Sequence, residues 1–298
     1  MGNISSDSHK KLQYVLTEML RQFDKICRDN DIEYFVCYGT ELGAVRHKGF
    51  IPWDDDADVG MMRSDFEKLK KVFEEQDTGI LMLGSPDGDY KWHEKVYPRL
   101  YCKGTILEAK YWEDSFVLSG DKFGRPINID IFLFDYTDND PEKIDKILNK
   151  SLPIKRNYMY YKFQSKVIKD RGAGAFIFSL IKRLKYAFHS SDPDASGKQY
   201  EKYLKLVSHE KSDYIISYDD LVLKDAKNSL IRYDQVFPTA DGTFDGVTVK
   251  LQKDYDAALK TFYGDYMQLP PEDQRGGHEA FRVSFGDFKF PDEFGGDD

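Results

Sequence analysis

The sequence predicts an α+β protein, α/β-like in its local order, with a mixed sheet flanked by helices and a mainly helical region appended. Three observations carry this. An apolar run, EYFVCY at 33–38, breaks at glycine and leads through a short helical stretch into alternating charged and apolar residues at 56–61. A second run, INIDIFLF at 127–134, has the length and β-branched content of a buried strand. Residues 141–209 are mostly helical in pattern.

Taken in order, residues 9–29 carry Leu12, Val15, Leu16, Met19, Phe23 and Ile26 at helical spacing, so an amphipathic helix opens the chain. A strand over 33–38 follows. Gly39 and Thr40 end it, and Thr40 is expected to N-cap a helix running to about His47. A strand at 56–61 and a helix at 64–75 come next. Further strands are expected at 95–102 and 127–134, a hairpin at 242–251 (GTFDGVTVKL) and a helix at 254–262. The Pro- and Gly-rich end closes with PDEFGGDD, which reads as a frayed acidic tail. This gives a catalytic core over 1–140, a helical region over 141–210 and a C-terminal segment over 211–298 packing on the core.

Composition narrows the function. A net charge of -9 over 298 residues argues against a general nucleic-acid binder, which presents a basic face. Cys27, Cys37 and Cys102 have no CxxC spacing, so neither a zinc site nor a disulfide framework is expected, and a reducing, cytoplasmic setting fits. No window approaches the roughly 18 uninterrupted apolar residues of a spanning helix, and the polar N-terminus lacks a signal-peptide core. MGNISS fits the myristoylation pattern at Gly2, a pattern short enough to recur by chance.

The densest signal is YGTELGAVRHKGFIPWDDDADVGMM, from Tyr38 to Met62. On a strand Asp56 and Asp58 point to one face. Like charges held side by side repel, and a hard divalent cation is the usual means of neutralising them. Asp130, inside otherwise apolar NIDIFLF, is the natural third ligand, with Asp54 assisting from the rim. Asp54, Asp56 and Asp58 also occupy positions 1, 3 and 5 of a calcium-loop pattern. Val59 stands where that loop needs glycine, Asp65 where it needs a bidentate glutamate, and Pro52 where its entering helix would lie. Gly39, Thr40 and Glu41 lie at a glycine turn opening a helix, whose free N–H groups suit phosphate. Arg46, His47 and Lys48 add positive charge. Lys95 and Arg99, on a strand expected beside the site, would meet a donor phosphate or an anionic acceptor, with solvent-facing charge the plain alternative.

These residues resemble the LicD family of bacterial phosphocholine transferases, related to the fukutin-type transferases, within the nucleotidyltransferase superfamily. The resemblance runs through the motif from Tyr38, YPRLYCKGT at 97–105, INIDIFLFDY at 127–136 and FDGVTVKLQKDYDAALKTFYGDYMQLPPEDQR near the end, and departs at Leu133, where proline is common. It implies a nucleotidyltransferase-fold core in which Gly39 and Thr40 form the glycine turn. Asp56, Asp58 and Asp130 would bind Mg²⁺, or Mn²⁺ in its place. It also implies a CDP-alcohol donor, CDP-choline above all, and a hydroxyl on a cell-surface glycan or its lipid-linked precursor as acceptor, such as lipopolysaccharide, teichoic acid or capsule. Asp130 is then the candidate for orienting or deprotonating that hydroxyl.

Residues 166–188 (KVIKDRGAGAFIFSLIKRLKYAF) place Phe176, Ile177, Leu180, Ile181 and Leu184 beside Lys182, Arg183 and Lys185. This is an amphipathic basic helix that lies either on an anionic membrane, at its inner face, or on the core with a lysine-rich outer side. Two rival classes stand beside the transferase reading: a metal-dependent nucleotidyltransferase or DxD sugar transferase, and a non-catalytic glycan-binding or regulatory protein.

Overall fold

The computed structural model describes residues 4–88, 96–109, 125–162, 180–181, 184, 195–219, 230–276 and 280–294. Helix α1 spans Ser6–Asp29. It begins three residues before the sequence pattern because the Ser5 hydroxyl accepts from the Ser8 N–H at 3.1 Å, an N-cap ahead of the apolar stripe. Leu12, Val15, Leu16, Met19, Leu20, Phe23 and Cys27 form its buried stripe.

The sheet contains β1 (Phe35–Val36), β2 (Asp58–Met62), β3 (Leu81–Gly84), β4 (Arg99–Cys102) and β6 (Asn128–Thr137) in the order β1-β2-β6-β4-β3. Only β2 and β6 pair in parallel among these, with Asp58 opposite Asp130 and Gly60 opposite Phe132. A parallel pair needs a long crossover. It contains α3 (Arg63–Glu75), the β3–β4 pair and β5 (Ile106–Ala109). Because side chains alternate, one face of the sheet gives Val36, Val59, Met61, Ile129, Ile131 and Leu133 to the main core under α1 and α3. The other gives Phe35, Met62, Phe132 and Phe134 to a second cluster. Burial on both faces explains why β6 reads as a continuous apolar run.

Beyond β6, α4 (Pro141–Lys162) and α5 (Ala195–Val207) pack together through Ile144, Leu148, Tyr158, Tyr200, Tyr203 and Val207. Strand β7 (Tyr214–Ile216) pairs with the distal half of β6, and β8 (Ile231–Arg232) pairs with β7. The short helix α6 (Tyr233–Val236) leads to the hairpin β9 (Ala240–Phe244) and β10 (Val247–Leu251). Its turn residues Asp245 and Gly246 both have positive φ, 43° and 75°, as a two-residue Asp-Gly turn requires. Helix α7 (Tyr255–Tyr263) starts from Asp254, whose carboxylate accepts from the Ala257 N–H. Strand β11 (Ala280–Ser284) returns to pair with β5.

A buried charge cluster ties the helical pair to the sheet. Arg63, at the start of α3, makes a two-pronged ion pair with Asp135 of β6 at 2.7 and 2.8 Å, and Asp219 lies 3.5 Å away. Asp219 also accepts from the Tyr203 hydroxyl of α5. Lys155 of α4 donates to the carbonyls of Tyr218 and Asp219 at 2.8 and 3.2 Å. Burial alone would lower the Arg63 pKa, but the two carboxylates more than offset it and keep the guanidinium charged. Replacing Arg63 with methionine leaves two buried carboxylates facing each other. The expected loss is about 3–5 kcal/mol in urea unfolding, whereas a loss below about 1 kcal/mol would show the cluster to be well solvated.

Candidate functional site

The glycine turn is built differently from its sequence expectation. Helix α2 spans Tyr38–Leu42 with Cys37 at its N-cap and no side-chain cap, and a π-helical turn, Gly43–His47, continues it. Thr40 is therefore inside the first turn rather than at the cap. Its buried hydroxyl is already engaged, accepting from the Asp58 N–H at 2.8 Å, so it fixes where β2 begins. Gly39 has a spatial role: a Cβ there would stand 2.9 Å from Asp54 Oδ2, so the missing side chain lets that carboxylate approach the backbone. Gly43 lies so close to the Gly49 carbonyl, 2.5 Å from where a Cβ would be, that the turn packs tightly on the following loop.

Strand β2 starts at Asp58, two residues later than expected, so Asp56 belongs to the loop before it. Asp54, Asp55 and Asp56 there each offer an oxygen within 4.8 Å of the others. Gln13 of α1 holds this loop by donating to the Asp54 carbonyl at 2.8 Å. Asp58, Asp130 and Arg99 then lie side by side across β2, β6 and β4. The Asp130 carboxylate accepts from Arg99 Nε at 2.6 Å, Asn128 Nδ2 at 2.7 Å and the Tyr97 hydroxyl at 3.1 Å. The solvent-facing alternative for Arg99 is thus overturned, because its side chain is buried and satisfies Asp130.

Two further groups lie within electrostatic reach of these carboxylates. Burial pushes up the Cys37 thiol, and Asp58, Glu41, Asp130 and Asp56 push it further. Burial likewise raises the Tyr263 phenol at the end of α7, with Asp58, Cys37, Asp54 and Asp56 adding to it. The donor set is hard oxygen, which fits Mg²⁺ or Mn²⁺ rather than a thiophilic metal.

The remaining expected residues lie around the C-terminal segment. Arg46 donates to the carbonyls of Tyr266 and Gln268 at 2.7 and 3.2 Å, and its Nε to His47 Nδ1 at 3.3 Å. His47 is held below the usual histidine range by burial and by Arg46. Lys48 is exposed, and its carbonyl accepts from the Asp245 N–H. Glu41 is buried and takes both the backbone N–H and the side-chain amide of Gln252, at 3.0 and 2.7 Å. Arg46, Glu41 and the Lys48 carbonyl thus join α2 and its turn to the segment after α6, and Lys95 lies outside the described residues. Of the basic 166–188 stretch only Leu180, Ile181 and Leu184 are described, all helical and exposed.

Sequence reasoning missed Asp55, Tyr97, Asn128 and Tyr263. Tyr97 and Asn128 each stand two residues before a predicted site residue, Arg99 and Asp130, and strand periodicity places them on the same face. Nothing local marks Tyr263, which arrives from the far end of the chain.

Fold and site together define an α+β protein with an oxygen-rich acidic centre at the head of a parallel strand pair. Residues 31–160 match the family described as LicD/FKTN/FKRP, nucleotidyltransferase domain. Along most of its length it is similar to the lipopolysaccharide cholinephosphotransferase LicD of Haemophilus influenzae, 28% identical over 273 residues that cover 90% of this chain and 95% of the relative. Uncharacterized proteins of Rickettsia prowazekii and Rickettsia typhi match shorter stretches. They are 38% identical over 95 and 63 residues, covering 31% and 20% of each chain in the pair.

Burial pushes the Glu41 carboxyl from 4.5 to about 8, only partly opposed by the two donors on Gln252. The folded state therefore binds this proton more tightly than the unfolded chain, and stability falls as pH rises from about 4.5 to about 8. Glu41→Gln should flatten that fall and raise stability at pH 8, read by thermal unfolding across the range. An unchanged pH profile would mean that Glu41 is ionised in the fold.

Proposed function

We propose that this chain is a phosphotransferase that moves a phosphorylated alcohol, phosphocholine being the nearest case, from a CDP-activated donor to a hydroxyl of a cell-surface glycan or its lipid-linked precursor. The observation that carries the reading is the Asp54, Asp55 and Asp56 cluster, with Asp58 and Asp130 paired on the adjoining strands, within a chain that parallels a lipopolysaccharide cholinephosphotransferase almost end to end. A nucleotidyltransferase-type core is part of the same reading.

Asp54, Asp55 and Asp56 would hold a divalent cation with Asp58, and Asp130 completes the set. When bound, Mg²⁺ or Mn²⁺ would neutralise phosphate charge during in-line displacement. The chain's own groups do the rest. Arg99, Asn128 and Tyr97 fix the Asp130 carboxylate, and exchange of one of these donors for the acceptor hydroxyl would let Asp130 orient it or take its proton. The acceptor oxygen bonds to phosphorus, the bond from phosphorus to the CMP oxygen breaks, and CMP leaves with the electron pair.

No helix among the described residues is long and apolar enough to cross a membrane. The exposed Leu180, Ile181 and Leu184 favour the membrane reading of 166–188 over the packed one. A cytoplasmic protein working at the inner face, where a lipid-linked acceptor would be met, is part of the same reading.

Incubation with candidate CDP-alcohols and a glycan acceptor, with the product identified by mass, tests the reading. A gain of phosphocholine on the glycan is expected. Transfer of a nucleotidyl or sugar group instead, or no transfer, would overturn it. Asp56→Asn and Asp58→Asn should each abolish transfer yet leave the metal-free fold at least as stable, because a repelling charge is removed. Activity above a few per cent in either variant would remove that residue from the centre.

A further inference from the structure

An aromatic row crosses the acidic centre. Tyr97, bonded to Asp130, has its ring 5.2 Å from Phe132. Phe132 lies 5.0 Å from Tyr38 at 84°, and Tyr38 lies 5.5 Å from Phe262 of α7 at 82°. Tyr263 adjoins Phe262 at 6.4 Å and comes under the charge of Asp58, Asp54 and Asp56. Tyr97 and Phe132 are buried and act as a brace. Tyr38 is half-buried, while Phe262 and Tyr263 are 36% and 42% exposed.

Three features set this row apart from ordinary core packing. Tyr38 has φ +50°, a left-handed conformation that a bulky residue adopts only where the surroundings impose it. Two large aromatic side chains stay partly open to solvent at the same rim. Asp58, Asp54 and Asp56 act on Tyr263, with Arg99 over Tyr97 and Arg46 near Tyr263 as the opposing cations, so the carboxylate side of the row is the side that favours a bound cation.

We infer that Tyr38, Phe262 and Tyr263, braced by Phe132 and Tyr97, form a subsite for the quaternary ammonium group of the transferred alcohol; this rests on the phosphotransferase reading above. A trimethylammonium group carries a full charge but no N–H donors, so carboxylates alone bind it poorly and ring faces bind it well. A primary ammonium has three donors and strong hydration, and gains less from rings. With the phosphate at the acidic centre, the short alcohol arm would extend toward Tyr263, the ring that feels the charge of Asp58, Asp54 and Asp56. The subsite therefore selects methylated amino alcohols over ethanolamine, and α7, remote in sequence from the aspartates, sets that choice.

The test compares kcat/KM for CDP-choline and CDP-ethanolamine in the natural protein and in Phe262→Leu, together with CMP affinity. Phe262→Leu should cut the preference for the choline donor about tenfold, mainly through KM, with CMP binding unchanged. An unchanged preference would overturn the subsite. So would a parallel loss of CMP affinity, which would make the row a stacking platform for the base. If the natural protein transfers from no CDP-alcohol, the functional reading fails, and tetramethylammonium binding measured by calorimetry decides the subsite separately. Binding that Phe262→Leu weakens supports it, and absence of binding to the natural protein rejects it.

Discussion

Mutual repulsion among carboxylates is the constraint on which the rest of the site depends. Asp54, Asp55 and Asp56 share one loop, and Asp58 begins the strand that carries Asp130 as its neighbour. Such a cluster would spread apart if its backbone were free. It is held by ordinary hydrogen bonds placed around it. Thr40 fixes the Asp58 N–H, Cys37 donates its own N–H to the Asp58 carbonyl at 3.2 Å, and Gln13 grips the Asp54 carbonyl. Arg99 offsets part of the charge from beneath, through Asp130. A cluster of hard oxygens of this kind suits a divalent ion and phosphate.

The C-terminal segment completes this arrangement from a distance. Asp245, in the hairpin turn, accepts from the Phe50 N–H at 3.2 Å and donates its own N–H to the Lys48 carbonyl, bracing the loop that leads to the aspartates. Arg46 grips the 266–268 loop, and Glu41 grips Gln252. The hairpin is tied to α1 by Arg28–Asp241 at 2.7 Å, and Tyr34 accepts from the Lys250 N–H while donating to Asp24. Arg46 and Glu41, which read as phosphate ligands in the motif, thus hold the two ends of the chain together in this structure. That commitment places Phe262 and Tyr263 at the rim.

Much of the fold was legible because periodicity is local. The stripe of α1, the apolar run of β6, the Asp-Gly hairpin and the Asp254 cap of α7 all lie within reach of their own signals. Boundaries moved where a distant group intervened. The expected strand at 33–38 shrank to Phe35–Val36, because α2 starts as soon as Cys37 has bonded to Asp58. In the site, Asp54, Asp56, Asp58 and Asp130 stood out as candidates by charge and spacing, whereas Asp55 did not, and the strand expected to carry Asp56 begins only at Asp58. The partner of Arg99, the burial of Glu41 and the arrival of Tyr263 were not, since each depends on a residue 31, 211 or about two hundred positions away. A charged side chain in a sequence shows what it can bind, and only the fold shows whether another residue already occupies it.

The central claim is that the acidic centre binds a hard divalent cation through the chain's own oxygens, and Mn²⁺ titration followed by electron paramagnetic resonance tests it most directly. The account predicts saturable Mn²⁺ binding that Mg²⁺ displaces and that Asp56→Asn weakens, in the absence of any nucleotide. Failure of the natural protein to bind Mn²⁺, or equal binding by Asp56→Asn, would contradict it.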